Sequence, residues 1–258
     1  MVSLMKYNNQ AKENIEKLLN NYKSVFKNTD PEFDEIFHNF TFDECINNSN
    51  LTDRRIFLVI LATLISNQSL NQFKVFFECA IDYGINPIEL KELLYQSVAY
   101  IGMAKAYDFI EESNYILDEK GISLPLAGQS TTTANTRYDE GLNKQYEYFG
   151  KDMIDDLINS APDDQKHFND FLASYCFGDF YTRTGLNDQD RELITFCFIS
   201  SLRGCENQLR GHIYGNLNVG NSIEDLISTL TMLLPFNGFP RTLNALNIIN
   251  EIRGNEND

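Results

Sequence analysis

The chain contains an internal repeat, and this repeat constrains its fold more than any other feature of the sequence. The offset that aligns Arg55 with Arg191 also pairs Gly84 with Gly220, and no gap is needed between them. A self-match of this length predicts that one supersecondary unit occurs twice. We call the two copies the first module and the second module.

Both modules have the apolar spacing of α-helices. Apolar side chains recur at intervals of three and four residues in each copy, as at Ile56, Val59 and Ile60 in the first and Leu193, Phe196 and Cys197 in the second. Side-chain oxygens that can cap a first turn precede the matching core helices, at Thr52 and Asn187. Ser222 and Asp225 have the spacing of a capping box. The sequence predicts an all-α fold of two tandem modules packed across a pseudo-two-fold axis.

One segment interrupts the helical pattern. Residues 121–137 contain glycine, proline and a cluster of threonine, serine and asparagine, without helical periodicity. Such a composition is typical of a connection between elements. We therefore expect the first module to comprise residues 1–128 and the second to comprise residues 129–258.

Composition limits the classes of partner. The formal net charge of −16 argues against nucleic acid, whose binding requires a dense positive surface, and against anionic membranes. No apolar run approaches the roughly 20 residues that cross a bilayer. The five cysteines are scattered and never spaced C-x-x-C, which predicts a cytosolic protein without a disulfide framework.

His212 is the polar residue that most distinguishes the second module. It lies on the apolar stripe of a predicted helix, where the first module has Phe76. An inward-facing imidazole can transfer protons at neutral pH, but it can also be a core histidine with a satisfied hydrogen bond. His38 and His167 match no repeat pattern and are expected near the surface.

Glu192 shares this asymmetry, because its counterpart in the first module is Ile56. An acidic residue in the first turn of a helix can simply complement the helix dipole. It can instead carry or orient a proton if a neighbouring helix brings His212 close. Two polar replacements at matched positions of the same module favour the second interpretation.

Arginine replaces lysine in the second module. No lysine follows His167, whereas six arginines do: Arg183, Arg191, Arg203, Arg210, Arg241 and Arg253. The guanidinium group binds carboxylates through two parallel hydrogen bonds. Arg191 and Arg210 are therefore candidate ligands of an anionic substrate, although each could instead pair with a nearby acidic residue at little energetic gain.

Cys205 precedes His212 by seven residues and is a candidate redox centre, since a cysteine near a helix start can have a reactive thiolate. Free cysteine is also often a small buried apolar residue. No cluster has the spacing of metal ligands, and neither a glycine-rich phosphate loop nor a nucleophile elbow occurs.

The second module resembles the carboxymuconolactone decarboxylase family. The resemblance rests on Phe177-Gly178-Asp179, Gly185-Leu186, Arg191-Glu192-Leu193, His212, Gly220 and Gly238-Phe239-Pro240, and more faintly on Asp53-Arg54-Arg55, Gly84 and Tyr100-Ile101-Gly102 in the first module. It implies an all-helical fold and assembly into rings such as trimers or hexamers. It also implies one of two activities: cofactor-free decarboxylation of a carboxylated lactone, or the alkylhydroperoxidase D type of peroxidase, which uses a C-x-x-C-x-x-x-H motif.

The peroxidase motif is incomplete in this chain. Its three positions hold Cys205, Gln208 and His212 in the second module and Ser69, Gln72 and Phe76 in the first. A cycling dithiol needs both sulfurs. The resemblance therefore favours decarboxylation of a small organic acid without a cofactor by a homo-oligomer.

In this interpretation His212 donates the proton, Glu192 orients it, and Arg191 or Arg210 holds the substrate carboxylate. Two alternatives stay open at the level of sequence. One is a thiol antioxidant that uses Cys205, and the other is a non-catalytic helical scaffold.

Overall fold

The structure, a computed structural model, describes residues 7–20 and 22–255, and within these ranges it contains helices and no strand. The all-α fold predicted from periodicity is confirmed. Thirteen α-helices and two π-helical segments are described: α1 Asn9–Leu18, α2 Pro31–Asn39, π1 Phe40–Cys45, α3 Asp53–Ser66, α4 Leu70–Tyr83, α5 Pro87–Ile101, α6 Met103–Glu119, α7 Arg137–Phe149, α8 Lys151–Asn159, α9 Lys166–Phe171, π2 Leu172–Tyr181, α10 Asp188–Ser201, α11 Glu206–Asn218, α12 Ile223–Asn237 and α13 Phe239–Asn255.

The helix bounds follow the offset found in the sequence. The offset that aligns Arg55 with Arg191 carries both ends of α5 onto those of α12, and both ends of α6 onto those of α13. The bounds of α3 and α10, and of α4 and α11, agree with the same offset to within one residue. It also pairs Cys45 with Tyr181, the last residues of the two π-helical segments. The repeat therefore extends from single residues to whole helices.

The modules pack reciprocally. α3 of the first module lies against α10 of the second, α3 also contacts α12, and α10 contacts α5 in return. This exchange is what a two-fold relation between modules produces. Leu58 and Leu61 share one apolar core with Phe196 and Leu230, so the larger core is common to both modules. Residues 120–136 connect α6 to α7 without a helix, and the division between residues 128 and 129 stays a prediction.

Short-range side-chain chemistry sets several helix ends. The side chains of Thr52 and Asn187 accept from the main chain of the first turns of α3 and α10. Ser222 and Asp225 cap α12 reciprocally. Gly84 and Gly220 have φ values of 97° and 92°, a left-handed conformation that only glycine adopts without strain.

Two glycines place π2 directly against α7. A Cβ atom on Gly141 would lie 1.8 Å from the carbonyl oxygen of Ala173, and one on Gly178 would lie 2.0 Å from that of Arg137. The two backbones thus approach more closely than any larger residue permits. π2 ends at Tyr181, whose buried side chain points into the region between the modules. Helical periodicity did not predict the π-helical hydrogen bonding, which is common near functional sites.

Within the described part of the chain, no helix combines the length and the apolar character that crossing a bilayer requires.

Candidate active site

The structure brings His212 and Glu192 together. Nδ1 of His212 on α11 lies 2.9 Å from Oε2 and 3.2 Å from Oε1 of Glu192 on α10. The side chain of Glu192 is 0% exposed and that of His212 is 14% exposed. The carboxylate is therefore held away from water, while the imidazole reaches the solvent side of the pair.

The pairing assigns different roles to the two ring nitrogens. A carboxylate accepts hydrogen bonds, so Nδ1 carries a proton when it faces Glu192. Nε2 is then the ring nitrogen turned away from Glu192, and in the neutral ring it is a hydrogen-bond acceptor. This is the arrangement of a general acid or base whose ring is oriented by a second group.

A chain of donors converges on the same carboxylate. The hydroxyl of Tyr181 donates to Oε1 of Glu192 at 3.0 Å and lies 2.8 Å from Oγ1 of Thr195. Thr195 in turn accepts from Nε2 of Gln96 at 2.8 Å. Since the amide of Gln96 and the hydroxyl of Tyr181 both donate along this chain, the hydrogen bonds run in one direction, towards Glu192.

The first module completes this site. Gln96 and Tyr100 both belong to α5, and the hydroxyl of Tyr100 makes a short hydrogen bond with that of Tyr181. Burial raises the pKa of both tyrosines well above its ordinary value. They are therefore neutral phenols at physiological pH and act as hydrogen-bonding groups rather than as bases.

Aromatic rings flank the imidazole of His212. Tyr100 and Phe149 meet it edge to face, with ring centroids 5.6 Å and 5.5 Å away. Asn216 holds the two helices together, because its Nδ2 donates to the main-chain oxygens of both Glu192 and His212, at 3.0 Å and 2.7 Å. These contacts restrain the orientation of the ring.

The space for Glu192 depends on a glycine one turn after His212. A Cβ atom on Gly215 would lie 2.5 Å from Oε2 of Glu192 and 2.9 Å from Phe149. The corresponding residue of the first module is Cys79. A side chain at position 215 would displace the carboxylate that pairs with His212.

Neither predicted substrate-binding arginine lies beside His212. Arg191 is 0% exposed, and its guanidinium donates to Oε1 of Gln96 at 2.8 Å and to Oε2 of Glu92 at 3.0 Å. Arg210 lies on the surface and pairs with Glu251 of α13 at 2.5 Å. The expected arrangement, with one of them facing a substrate next to the imidazole, is not the one observed. Arg191 instead supports Gln96, and Arg210 pairs with Glu251.

Cys205 caps the start of α11 and is partly exposed, whereas the other four cysteines are buried. It lines a cavity of about 110 Å³ whose walls include Arg203 and Arg241 but neither His212 nor Glu192. Its thiol lies 3.6 Å from the main-chain oxygen of Arg203. His212 is therefore not among the residues that line the cavity of Cys205.

The expectation that His38 lies near the surface is wrong. Its side chain is 2% exposed and stacks between the rings of Tyr7 and Phe42. Nδ1 lies 2.7 Å from the main-chain oxygen of Asp34. These partners come from α2, π1 and the start of the chain, and no repeat pattern connects them. His167 is exposed, as expected.

The described residues contain no cluster of three or more histidine, cysteine or acidic side chains arranged to hold a metal ion.

Sequence reasoning missed the residues that support Glu192. Tyr181 corresponds to Cys45 and Thr195 to Val59, so both share the asymmetry of His212 and could have been found by extending the same comparison. Gln96 could not, because its role depends on contact between α5 and the other module.

Comparisons with known proteins agree with this fold and place the histidine and its partner in the matched region. Residues 166–251 match the model of the carboxymuconolactone decarboxylase family. The chain is also 25% identical over 116 residues to 4-carboxymuconolactone decarboxylase of Acinetobacter baylyi, which covers 45% of this chain and 86% of that protein.

A crystal structure from Burkholderia xenovorans LB400 has a similar fold over the whole length. That protein is provisionally named a gamma-carboxymuconolactone decarboxylase subunit, and the superposition has a TM-score of 0.54 at 18% identity, covering 95% of this chain and 97% of the other. The family match in the second module and the curated relative therefore both point to similarity with the carboxymuconolactone decarboxylase family, and the solved structure shows a similar fold.

Proposed function

We propose that this protein decarboxylates a small carboxylated lactone or a related organic acid without a cofactor. The observation that carries the proposal is the contact between Nδ1 of His212 and the buried carboxylate of Glu192. The name of the relative from Acinetobacter baylyi supplies 4-carboxymuconolactone as the first substrate to test.

The reaction needs a proton donor at the carbon that loses CO₂. The bond between that carbon and the carboxylate breaks, CO₂ leaves, and the electron pair stays on the carbon as a delocalised carbanion. The imidazolium of His212 gives its Nε2 proton to this carbon, and solvent restores the proton afterwards. General acid catalysis of this kind contributes on the order of 10²–10⁴ in rate.

Glu192 acts in this proposal as a positioning residue. Its carboxylate accepts from Nδ1 and so fixes the ring in the orientation that presents Nε2 to the substrate. Tyr181 holds the other carboxylate oxygen. The rings of Tyr100 and Phe149 give a ring-shaped substrate apolar walls on either side of the imidazole.

Replacing His212 tests the proposal. We expect His212→Gln to lower kcat for 4-carboxymuconolactone by about 100-fold or more, because glutamine cannot donate a proton as an acid. His167→Gln is the matched control, since His167 is exposed and makes none of the contacts described for His212 and Glu192. Loss of lactone absorbance and release of CO₂ report turnover, and circular dichroism reports folding. A folded His212→Gln variant with unchanged kcat would sink the proposal.

The same assay separates the alternatives. If the thiol were the reactive group, peroxide treatment followed by mass spectrometry would show oxidation at Cys205. Peroxide reduction would then be lost in Cys205→Ser and kept in His212→Gln. A scaffold would show neither turnover with small lactone acids nor peroxide reduction.

We also propose that copies of this chain associate. α9 and π2 carry a stripe of exposed apolar side chains at helical spacing, comprising Phe168, Phe171, Leu172 and Tyr175. Exposed apolar surface of this kind is a common feature of protein interfaces. Light scattering coupled to gel filtration should give the mass of two or more chains, each of 29.7 kDa, and the mass of a single chain would contradict association.

A further inference from the structure

A buried lysine lies in a second cavity, away from His212. Lys91 on α5 is 4% exposed, and its Nζ donates to Oγ of Ser113 at 2.9 Å and to Oδ1 of Asn114 at 2.8 Å. Both partners are neutral. An ammonium group has three donors, so one donor of Lys91 has no partner among the described residues.

No carboxylate of the described chain balances this charge. Glu92 is the acidic residue nearest in sequence, but Arg183 and Arg191 share it: Arg183 binds both of its oxygens through Nε at 3.0 Å and 2.9 Å, and Arg191 binds Oε2 at 3.0 Å. Burial alone, with no charged neighbour, lowers the pKa of Lys91 to about 8. A buried, unpaired charge is costly, and a bound anion would offset that cost.

The cavity next to Lys91 has the size and the walls of a small-molecule site. Its volume is about 540 Å³, within the range of roughly 300–1,000 Å³ for such sites. The polar side is formed by Lys91, Arg183 and Glu92, and the apolar side by Ile88, Leu124, Pro125 and Leu126.

An aromatic ring lies close to both cations. Nζ of Lys91 is 5.3 Å and Cζ of Arg183 is 5.5 Å from the ring centroid of Tyr95. Nε and Nη2 of Arg183 donate hydrogen bonds to the carboxylate of Glu92. Its Nη1 has no partner among the described residues. Two cations, each with a donor that has no described partner, therefore line one cavity, in a chain whose net charge is −16.

We propose that this cavity binds a small organic carboxylate, with Lys91 and Arg183 as its charged donors and the apolar wall against its carbon skeleton. His212 is not part of the lining. The binding site is therefore separate from the decarboxylase chemistry, and either can fail without the other.

A chain of hydrogen bonds connects this cavity to the candidate active site. Glu92 binds Arg191, whose Nη1 donates to Gln96, and the nitrogen of Gln96 donates to Thr195. The path continues through Tyr181 to Glu192. An anion that draws Arg183 away from Glu92 would change the first contact of this path.

Calorimetric titration of the full chain with benzoate tests the proposal. We expect saturable binding to the unmodified protein, weakened by about tenfold to a hundredfold in Lys91→Met, which removes one charged hydrogen bond and keeps an unbranched side chain. Arg183→Gln should weaken binding in the same direction. Lys74→Met, which removes a surface lysine paired with Glu112, is the control and should leave binding unchanged.

Two further arms define the ligand and separate the sites. Inorganic phosphate should bind more weakly than benzoate, because it cannot use the apolar wall. His212→Gln should bind benzoate as the unmodified protein does. The proposal would be overturned if folded Lys91→Met bound benzoate as tightly as the unmodified protein, or if benzoate did not bind at millimolar concentration. Tighter binding of phosphate than of benzoate would overturn the organic acid as the ligand.

Discussion

The two modules have equivalent helices, but the side chains at equivalent buried positions are polar in the second module and apolar in the first. In the second module His212 meets the ring of Tyr100 edge to face at 5.6 Å, and in the first Phe76 meets that of Phe236 edge to face at 5.5 Å. The backbone geometry is thus shared. Where the second module has a carboxylate beneath its ring, Glu192, the first has Ile56.

This contrast teaches that a helical scaffold can carry a buried carboxylate where hydrogen-bond donors satisfy it. Glu192 accepts from His212 and from Tyr181, and removing it leaves Nδ1 of His212 without its acceptor. The first module avoids that cost with apolar side chains. Exchanging single residues between the modules therefore tests which features make one site polar and the other inert.

The largest effect is expected from Glu192→Ile, which introduces the residue of the first module. Nδ1 of His212 would lose its acceptor, at a cost of about 1–3 kcal/mol of unfolding free energy, whereas the hydroxyl of Tyr181 would keep Thr195 as a partner. We expect kcat to fall by about 100-fold as well, because the imidazole loses its orientation.

Glu192→Gln is the matched variant, since it keeps an acceptor oxygen and removes the charge. It should retain most of the stability, and its kcat should show a changed pH profile. Urea unfolding and the decarboxylation assay give both quantities. If Glu192→Ile unfolded at the same urea concentration as the unmodified protein and kept its kcat, the positioning role would be wrong.

Gly215 and Gly211 of α11 allow the effect of an added methyl group on stability to be compared within one helix. Gly215→Ala should destabilise the protein by about 1–3 kcal/mol, because its Cβ would lie 2.5 Å from Oε2 of Glu192. Gly211→Ala meets no atom within 4 Å and should instead stabilise the helix by about 0.5–1 kcal/mol. Thermal or urea unfolding of the pair gives the difference. Equal stabilities would contradict the close approach of Glu192 to α11.

The reverse exchange, Phe76→His, should produce an imidazole without a partner. Phe76 is buried, and position 56 supplies no acceptor. We expect a loss of about 1–3 kcal/mol in unfolding free energy, the cost of burying an unpaired polar group. Introduced together with His212→Gln, it should restore no turnover. Recovered activity in that double variant would show that the buried acid is dispensable.

Tyr100→Phe should have the smallest effect, since it introduces the ring that the second module has at the equivalent position, Phe236. Tyr181 would lose its hydrogen bond to Tyr100 but keep Thr195 as a partner. We expect a loss of about 0.5–1.5 kcal/mol and a change in kcat of only a few-fold. A loss of turnover as large as that of His212→Gln would assign the hydroxyl of Tyr100 a direct part in the reaction.

Local patterns in the sequence predicted much of the fold, because helices and their ends depend on residues a few positions apart. The apolar spacing predicted the helices, and Thr52, Asn187 and Ser222 predicted where three of them start. The π-helical segments were not predicted, and in π2 the backbone at Gly178 lies against α7, a contact that no local signal carries.

For the candidate site, the sequence by itself determined which module differs and at which two positions, because the internal repeat sets His212 against Phe76 and Glu192 against Ile56. Only the tertiary structure decided what surrounds the pair. It turned Arg191 towards Glu92, left Arg210 on the surface and brought Gln96 and Tyr100 across from the first module. The physical reason is that a helix face is encoded by nearby residues, whereas the partner of a buried charge is chosen by the packing of helices that are distant in the chain.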